Sequence, residues 1–385
     1  MRSGQYVKQV EGYGAFIPKP LPPIPPINMD EELTRLLSDS DRAVGRLDGI
    51  TTVLPNPDLF VAMYVRHEAV LSSQIEGTQS TLEDILQFDI DEKGEGRPKD
   101  IIEVVNYVKA MNYGLQRLEE FPLSLRLIRE IHERLLEGVR GENHRPGEFR
   151  GMQNWIGPQN CSLTTASFVP PPVHDMHVAL DDFEKFLHKQ TTLPILIHCG
   201  LAHAQFETIH PFLDGNGRIG RLLVTFLLCE QKILSRPLLY LSHYLKAHKA
   251  EYYDHLMAIR NEGDWERWLK FFLRGIYEVS QAATKTAGSI LKMREEHRNV
   301  ISERLKGSTL GLRLLDYLFE QPVITVQLAS QHMECAYATA NKLIDQFSKL
   351  GLLQELTGWK RNRRYRYEPY LALFEGDTPL ARDQG

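Results

Sequence analysis

From Asp30 onward the apolar positions recur at helical rather than alternating spacing, as in Leu33, Leu36 and Leu37 and again in Phe60, Met63, Tyr64, Ala69 and Val70. The same period resumes at Met176 and runs through ILIHCGLAHAQF, LLVTFLLCEQ and the region of DWERWLKFFLRGI. The pattern predicts a mainly α protein. One stretch precedes it and two break it. PKPLPPIPPI, Pro18 to Ile27, favours an extended polyproline arm lying along a surface. DEKGEGRPKD, Asp91 to Asp100, reads as a charged linker, and Gly141 to Pro172 as a long loop or hairpin rich in Gly, Pro, Asn, Ser and Thr. Loops of that length inside a compact domain usually carry function. After a charged helix near Lys292 to Lys306 the pattern changes: Thr325–Gln331, a turn near Glu334, and Tyr337–Leu350 with Gly351 as its stop predict a helix–turn–helix. Two candidate strands follow, LLQEL and RRYRYEP, as in a β-wing. The expected division is an N-terminal arm and helical region over 1–100, a helical core over 101–290, and a linker helix with a small winged-helix domain over 291–385.

A chain of 385 residues with 42% hydrophobic and 25% charged residues has the composition of an ordinary soluble protein of more than one domain. No apolar run approaches the roughly 20 residues of a membrane span, so no membrane partner is expected. The N-terminus lacks the apolar centre of a secretory signal, and the four cysteines are too scattered for a disulfide framework or zinc cluster. A reducing cytoplasm fits best. A net charge of −5 argues against nucleic-acid binding along the whole chain.

The densest chemistry lies in HPFLDGNGRIGR, His210 to Arg221. Gly215, Gly217 and Gly220 match G-x-G-x-x-G literally, but a dinucleotide fingerprint must follow a strand, and here the preceding spacing is helical. A phosphate cradle fits better: the glycines let backbone N–H groups face an anion, and a helix beginning near Arg218 adds its dipole. Arg218 and Arg221 share one face of its first turn, where cations are disfavoured unless an anion compensates. Asp214 has the hardness for Mg²⁺, which uses one or two carboxylates plus phosphate oxygens. His210, at the mouth of the cradle, can take a proton from a hydroxyl in phosphoryl or nucleotidyl transfer. His198 and His203 have no metal-ligand spacing and read as core histidines.

The string resembles the signature HPFx[DE]GNGRxxR of Fic (filamentation induced by cyclic AMP) domain proteins at every fixed position. That resemblance implies a Fic-type helical bundle with a flap hairpin. It implies ATP as co-substrate with Mg²⁺ held by Asp214, and His210 as base toward a protein Ser, Thr or Tyr hydroxyl, the chain's own included. Gly215, Asn216 and Gly217 would form the anion hole, Arg218 and Arg221 would hold the outer phosphates, and Ile219 and Gly220 would lie with them among the ATP-binding residues. SLTTASFVPPP resembles the flap, roughly Thr165, Ala166, Ser167 and Phe168. EYYDHLMAIRNEGDW resembles the adenine side, with Tyr252, Tyr253 and Asn261 near the base; a core role is the alternative for the two tyrosines.

LSSQIEGTQSTLED, Leu71 to Asp84, adds a second signal. The helix through VAMYVRHEAVL should stop near Gly77, and Ser80-x-x-Glu83 looks like a capping box opening the next. Glu76 then faces the negative end of a helix dipole, a small cost that a nearby arginine reverses. In the Fic family [ST]xxxE[GN] marks an inhibitory helix, and Ser72, Glu76 and Gly77 match it. By that resemblance Glu76 pairs with Arg221 and blocks the γ-phosphate site. In some relatives the same glutamate supports AMP removal. The C-terminal segment resembles winged helices appended to Fic proteins. KRNRRYR, Lys360 to Arg366, suits DNA phosphates, yet Leu310 to Gly385 carries nine basic and nine acidic side chains, which leaves protein docking or homodimer formation as the alternative. The expected function is autoinhibited adenylyl transfer to proteins. The alternatives are a transcription regulator whose Fic site senses nucleotide, and transfer of another phosphate-containing group.

Overall fold

The computed structural model describes residues 1–51, 57–90, 98–138, 145–158, 160–189, 192–359 and 362–375. The linker predicted at Asp91 to Asp100 lies outside them except for its last three positions, as do Lys360 and Arg361 of the basic run. Among the described residues helices dominate, as the apolar period requires.

The centre is α7 (Ile195–Ile209), in which every residue from Leu196 to Ile209 is buried. A helix apolar on nearly all sides can be accommodated only when neighbours cover it all round. Those neighbours are α8 (Asn216–Glu230), α6 (Val173–His188), α10 (Lys249–Glu262) and the 40-residue α11 (Trp265–Arg304). Trp268 Nε1 of α11 donates to Gly200 O of α7 at 2.9 Å. α1 (Glu31–Thr51) lies along α11, and Ser40 Oγ donates to Leu273 O at 2.9 Å.

Three further helices pack on α8, namely α2 (Pro57–Ile75), α4 (Lys99–Leu118) and α5 (Leu125–Leu135), and α9 (Leu241–Ala247) packs on α2. Ser124 caps α5 by accepting from Leu127 N. α3 (Leu82–Ile90) opens on a capping box, one residue later than predicted: Thr81 N donates to Asp84 Oδ2 at 2.8 Å and Asp84 N to Thr81 Oγ1 at 3.2 Å. Thr81 and Asp84 complete the reciprocal pair expected of Ser80 and Glu83.

The N-terminus also departs from expectation. A hairpin of β1 (Gly4–Lys8) and β2 (Gly14–Pro18) precedes the proline arm, with Tyr6 opposite Phe16. Phe16 N donates to Val169 O at 2.9 Å, so the hairpin extends the long loop's return strand. The arm itself has no regular structure and is pinned where Asn28 N donates to Glu266 Oε1 at 2.7 Å.

Beyond α11 come α12 (Thr309–Glu320), α13 (Val326–Met333), α14 (Tyr337–Lys349) and α15 (Glu368–Glu375). α13 and α14 are joined through Glu334 at φ 52°, where the turn was predicted. Both predicted strands form, shorter than expected, as β4 (Gln354–Glu355) and β5 (Arg364–Arg366). An additional strand, β3 (Val323–Thr325), completes the antiparallel order β3-β5-β4. Three residues running straight into a helix capped by Thr325 show too little alternation to be read beforehand.

Candidate active site

α7 ends at His210, which takes the left-handed conformation (φ 49°, ψ 59°) and turns the chain into the loop. Its carbonyl is held by Arg150 Nε at 3.1 Å, and Arg150 N donates to Pro211 O at 2.9 Å. Asn154 Nδ2 donates to Phe212 O at 2.8 Å. The loop then closes on Asn216, whose side chain both accepts from Phe212 N and donates to Phe212 O, each at 2.8 Å. Gly215 adopts φ 79°, which a side chain would disfavour, and the following residues open α8. Asn216 thus shapes the loop rather than facing a ligand with its amide.

His132 of α5 braces the same loop from below. Gly147 N donates to its Nδ1 at 2.9 Å, which leaves the proton on Nε2 to be donated to Asp214 O at 3.0 Å. Burial holds this imidazole down at about 4, so it stays neutral. Its ring stacks on Phe212 at 3.7 Å.

Burial also pushes His210 down to about 3, with Arg260 and Arg150 acting in the same sense and Glu76 opposing them. At neutral pH His210 is an unprotonated imidazole, able to accept a proton. Its buried Nδ1 has no hydrogen-bond partner among the described residues.

The two arginines of α8 are held differently. Arg221 is buried; its Nε donates to Ser72 Oγ at 2.8 Å, and its Nη2 to Ser72 O at 3.0 Å and Glu76 Oε1 at 2.7 Å. Partial desolvation opposes the Glu76 charge, but the attraction of Arg221 wins and the carboxyl, its side chain still 33% exposed, lies below the usual range. Glu76 is also seated against the first turn of α8. A Cβ built on Gly217 would lie 2.3 Å from Glu76 Oε1, a distance no real side chain tolerates. Arg218 Nη1 donates to Glu103 Oε2 of α4 at 3.2 Å, both side chains 2% exposed, and Nη2 lies 3.6 Å from Asp214 Oδ1. Asp214 Oδ1 also accepts from Gly215 N at 2.7 Å, and the side chain is 35% exposed at the mouth.

Glu76 follows directly on the end of α2. Lys249 Nζ donates to Ile75 O and Lys246 Nζ to Gln74 Oε1, placing cations where the α2 dipole favours them.

The long loop forms a hairpin over this mouth. Ile156 and Phe168 pair antiparallel, with N–H···O bonds of 2.8 and 3.0 Å. Phe168 is buried beneath the guanidinium of Arg260, 3.7 Å from its ring centre, and Arg260 Nη2 donates to Glu207 O at 3.1 Å. Ala166 packs beside Tyr13, Ala15 and Val169, while Thr165 and Ser167 are exposed. Thr165 Oγ1 accepts from Ser162 N at 3.0 Å.

On α10 the predicted adenine-side residues part company. Tyr252 is core: its hydroxyl donates to His203 Nε2 at 2.8 Å, while His203 Nδ1 donates to Gly220 O at 2.8 Å. Tyr253 is 41% exposed, and burial of its hydroxyl and the Glu76 charge raise it. Asn261 Oδ1 accepts from Tyr6 OH of the N-terminal hairpin at 3.0 Å. Ile219 points into the core and its N–H donates to Gly215 O at 3.0 Å, so it offers a ligand no free donor.

Four residues outside the sequence-predicted set complete the site: Glu103, Arg150, Glu207 and Arg260. All are charged and buried, and that combination has no signature in a lone sequence. Glu207 Oε1 abuts Gly220, and burial pushes its carboxyl up to about 7.

Residues 122–228 match the family model described as Fic/DOC family, and residues 34–116 the one described as Fic/DOC family N-terminal. A protein adenylyltransferase Fic of Aedes aegypti is 32% identical over 197 residues, 50% of this chain and 35% of that protein. Its counterpart in Drosophila grimshawi is 32% identical over 199 residues, 50% of this chain and 36% of that protein. The chain thus spans about a third of the length of the curated relatives it matches. A Fic family protein from Desulfovibrio desulfuricans G20 superposes with a TM-score of 0.55 at 20% identity, covering 89% of this chain and 97% of the other. At that identity the likeness is one of fold. Among the described residues no helix is long and apolar enough to cross a membrane.

Proposed function

Residues 34–228 place this chain in the Fic/DOC family, and from that premise we propose that it transfers AMP from ATP to protein hydroxyl groups and rests in an inhibited state held by Glu76. One observation carries the reading: the Glu76 carboxylate stands against Gly217 and on Arg221, at a helix N-terminus suited to a ligand's anionic group.

In the proposed reaction neutral His210 accepts the proton of the target hydroxyl. The freed oxygen attacks the α-phosphorus in line, a bond forms between the target oxygen and that phosphorus, and the bond from it to the α,β-bridging oxygen breaks to release diphosphate. Backbone N–H groups of the Gly215–Gly217 turn receive phosphate oxygens, and Arg218 and Arg221 face the outer phosphates. Among the described residues no group of three or more His, Cys, Asp or Glu side chains is arranged to hold a metal. Asp214, one partly exposed carboxylate at the mouth, fits Mg²⁺ that takes its other ligands from phosphate and water. When bound, the ion would offset phosphate charge.

Glu76 suppresses this chemistry by occupying Arg221. A γ-phosphate displaced from that guanidinium carries the α-phosphate out of line with the attacking oxygen, and alignment governs the rate. The nucleotide-sensing regulator reading gains less support, because Arg363, Arg364 and Arg366 of the basic run all have partners within the chain.

Incubation of the Glu76→Gly variant and a protein lysate with Mg²⁺ and ATP labelled at either the α- or the γ-phosphorus tests the reaction class. Protein-bound label from α-labelled ATP alone supports adenylyl transfer. Label from γ-labelled ATP would replace it with phosphoryl transfer, and no label from either would remove the transferase reading.

A further inference from the structure

The basic run near the C-terminus faces the chain's own inhibitory segment. Arg366 Nη1 lies 3.2 Å from Glu83 Oε2, and Arg364 Nη1 donates to Gln87 Oε1 at 3.5 Å. Glu83 and Gln87 are one turn apart on α3, the helix that begins six residues after Glu76. β5 therefore grips the chain just downstream of the Glu76–Gly77 turn.

α15 grips it upstream. Phe374, 3% exposed, meets the rings of Tyr64 and His67 on α2 at 5.5 and 6.0 Å between centres. A series of edge contacts ties Phe374 back into its own module, to Tyr370 at 5.4 Å and from there to Phe319 of α12 at 5.0 Å. Such contacts are directional as well as apolar.

The α2 residues involved share one line. Tyr64, Glu68 and Ser72 are spaced by four, which sets them along one stripe, and Glu76 comes next in the turn just past the helix end. Tyr64 meets the C-terminal module, while Ser72 and Glu76 hold Arg221. Between them Glu68 accepts from Ser242 N at 3.2 Å and Tyr107 OH at 3.3 Å. A shift of α2 at Tyr64 is carried to Ser72, about two turns on, because backbone hydrogen bonds fix the rise per residue, and Glu76 follows in the turn where its N–H donates to Ser73 O at 3.0 Å.

We propose that the C-terminal module, residues 309–375, is a clamp on the inhibitory segment: it holds α2 and α3 so that Glu76 stays on Arg221, and loosening it frees the cradle. The clamp rests on the Glu76 reading for its effect on catalysis, but not for its effect on the segment's mobility.

Two observables on the full-length chain keep these apart. Hydrogen exchange over residues 72–90 reads the clamp directly, and AMP incorporation from Mg²⁺ and ATP reads its consequence. Phe374→Ala and Arg366→Glu should each speed exchange over 72–90 several-fold and raise AMP incorporation at least fivefold. Neither should add to incorporation in the Glu76→Gly background. The swap Glu83→Arg/Arg366→Glu should return both observables toward native, which separates the clamp from general loss of stability. Unchanged exchange over 72–90 in folded Phe374→Ala and Arg366→Glu overturns the clamp. Faster exchange with no incorporation in any variant, Glu76→Gly included, leaves the clamp standing and overturns the transferase reading.

Discussion

Glu76 and Gly217 are in contact: a single added carbon at Gly217 would come within 2.3 Å of the Glu76 carboxylate oxygen. The acid that pairs with Arg221 therefore also fills the space beside the first turn of α8.

This contact predicts a coupling. Gly217→Ala should push the Glu76 carboxylate, the far end of a flexible side chain, off Arg221, and so cost the native chain that pair, about 1–2 kcal/mol. In the Glu76→Gly background the same substitution should cost at least about 1 kcal/mol less, because the obstructing oxygen is gone. Urea unfolding of the four proteins gives the coupling energy; equal costs in both backgrounds would show that Glu76 does not rest there.

The Glu76–Arg221 pair carries a pH signature. Arg221 holds the folded-state carboxyl below its unfolded value despite partial desolvation. The pair's stabilisation is thus present above the ordinary carboxylate range, near about 4.3, and is lost as pH falls through the lowered value. The stability difference between native and Glu76→Gln should be about 1–2 kcal/mol at pH 6 and shrink toward zero well below pH 4. A difference independent of pH would argue against an ionised pair.

Buried neutral histidines set a second pH dependence. Burial lowers His67 and His210 to about 3, and His132, His198 and His203 to about 4. Unfolded histidines titrate near about 6.5, so below that pH the unfolded chain binds protons that the folded chain refuses. Stability should fall as pH drops from about 6.5 toward 4, by up to about 1.4 kcal/mol per pH unit for each histidine. Unfolding midpoints at pH 7, 6 and 5 check the slope, and a flat profile would mean these rings are charged in the fold.

The flap is tied down from α10. Arg260→Met should remove the cation over Phe168, worth about 1–2 kcal/mol when desolvated. Hydrogen exchange over residues 160–169 should speed up while α7 stays protected. Unchanged flap exchange would show that the hairpin is held by β2 alone.

What the sequence disclosed and what it withheld follow from the range of the interactions. His210 to Arg221 was legible because loop, glycines and helix start are contiguous, and Glu76 because Gly77 marks the helix stop beside it. Glu103 on Arg218 and Arg260 on Phe168 join positions about a hundred residues apart, and no local pattern encodes such pairs. Tyr252 shows the limit of pattern on a helix, since a buried aromatic bonded to His203 has the same spacing as one lining a pocket. The hairpin at residues 4–18 was hidden because its strands are five residues each and glycine-flanked, and it is completed by Val169 from the flap.

Glu76 is proposed to hold back a His210-dependent AMP transferase. Intact mass after incubation with Mg²⁺ and ATP tests it most directly, comparing the native chain, Glu76→Gly and Glu76→Gly/His210→Ala. The expected result is a gain of one AMP or more in Glu76→Gly, little in the native chain and none in the double variant. Equal gains in the native chain and Glu76→Gly, or a gain that survives loss of His210, would contradict it.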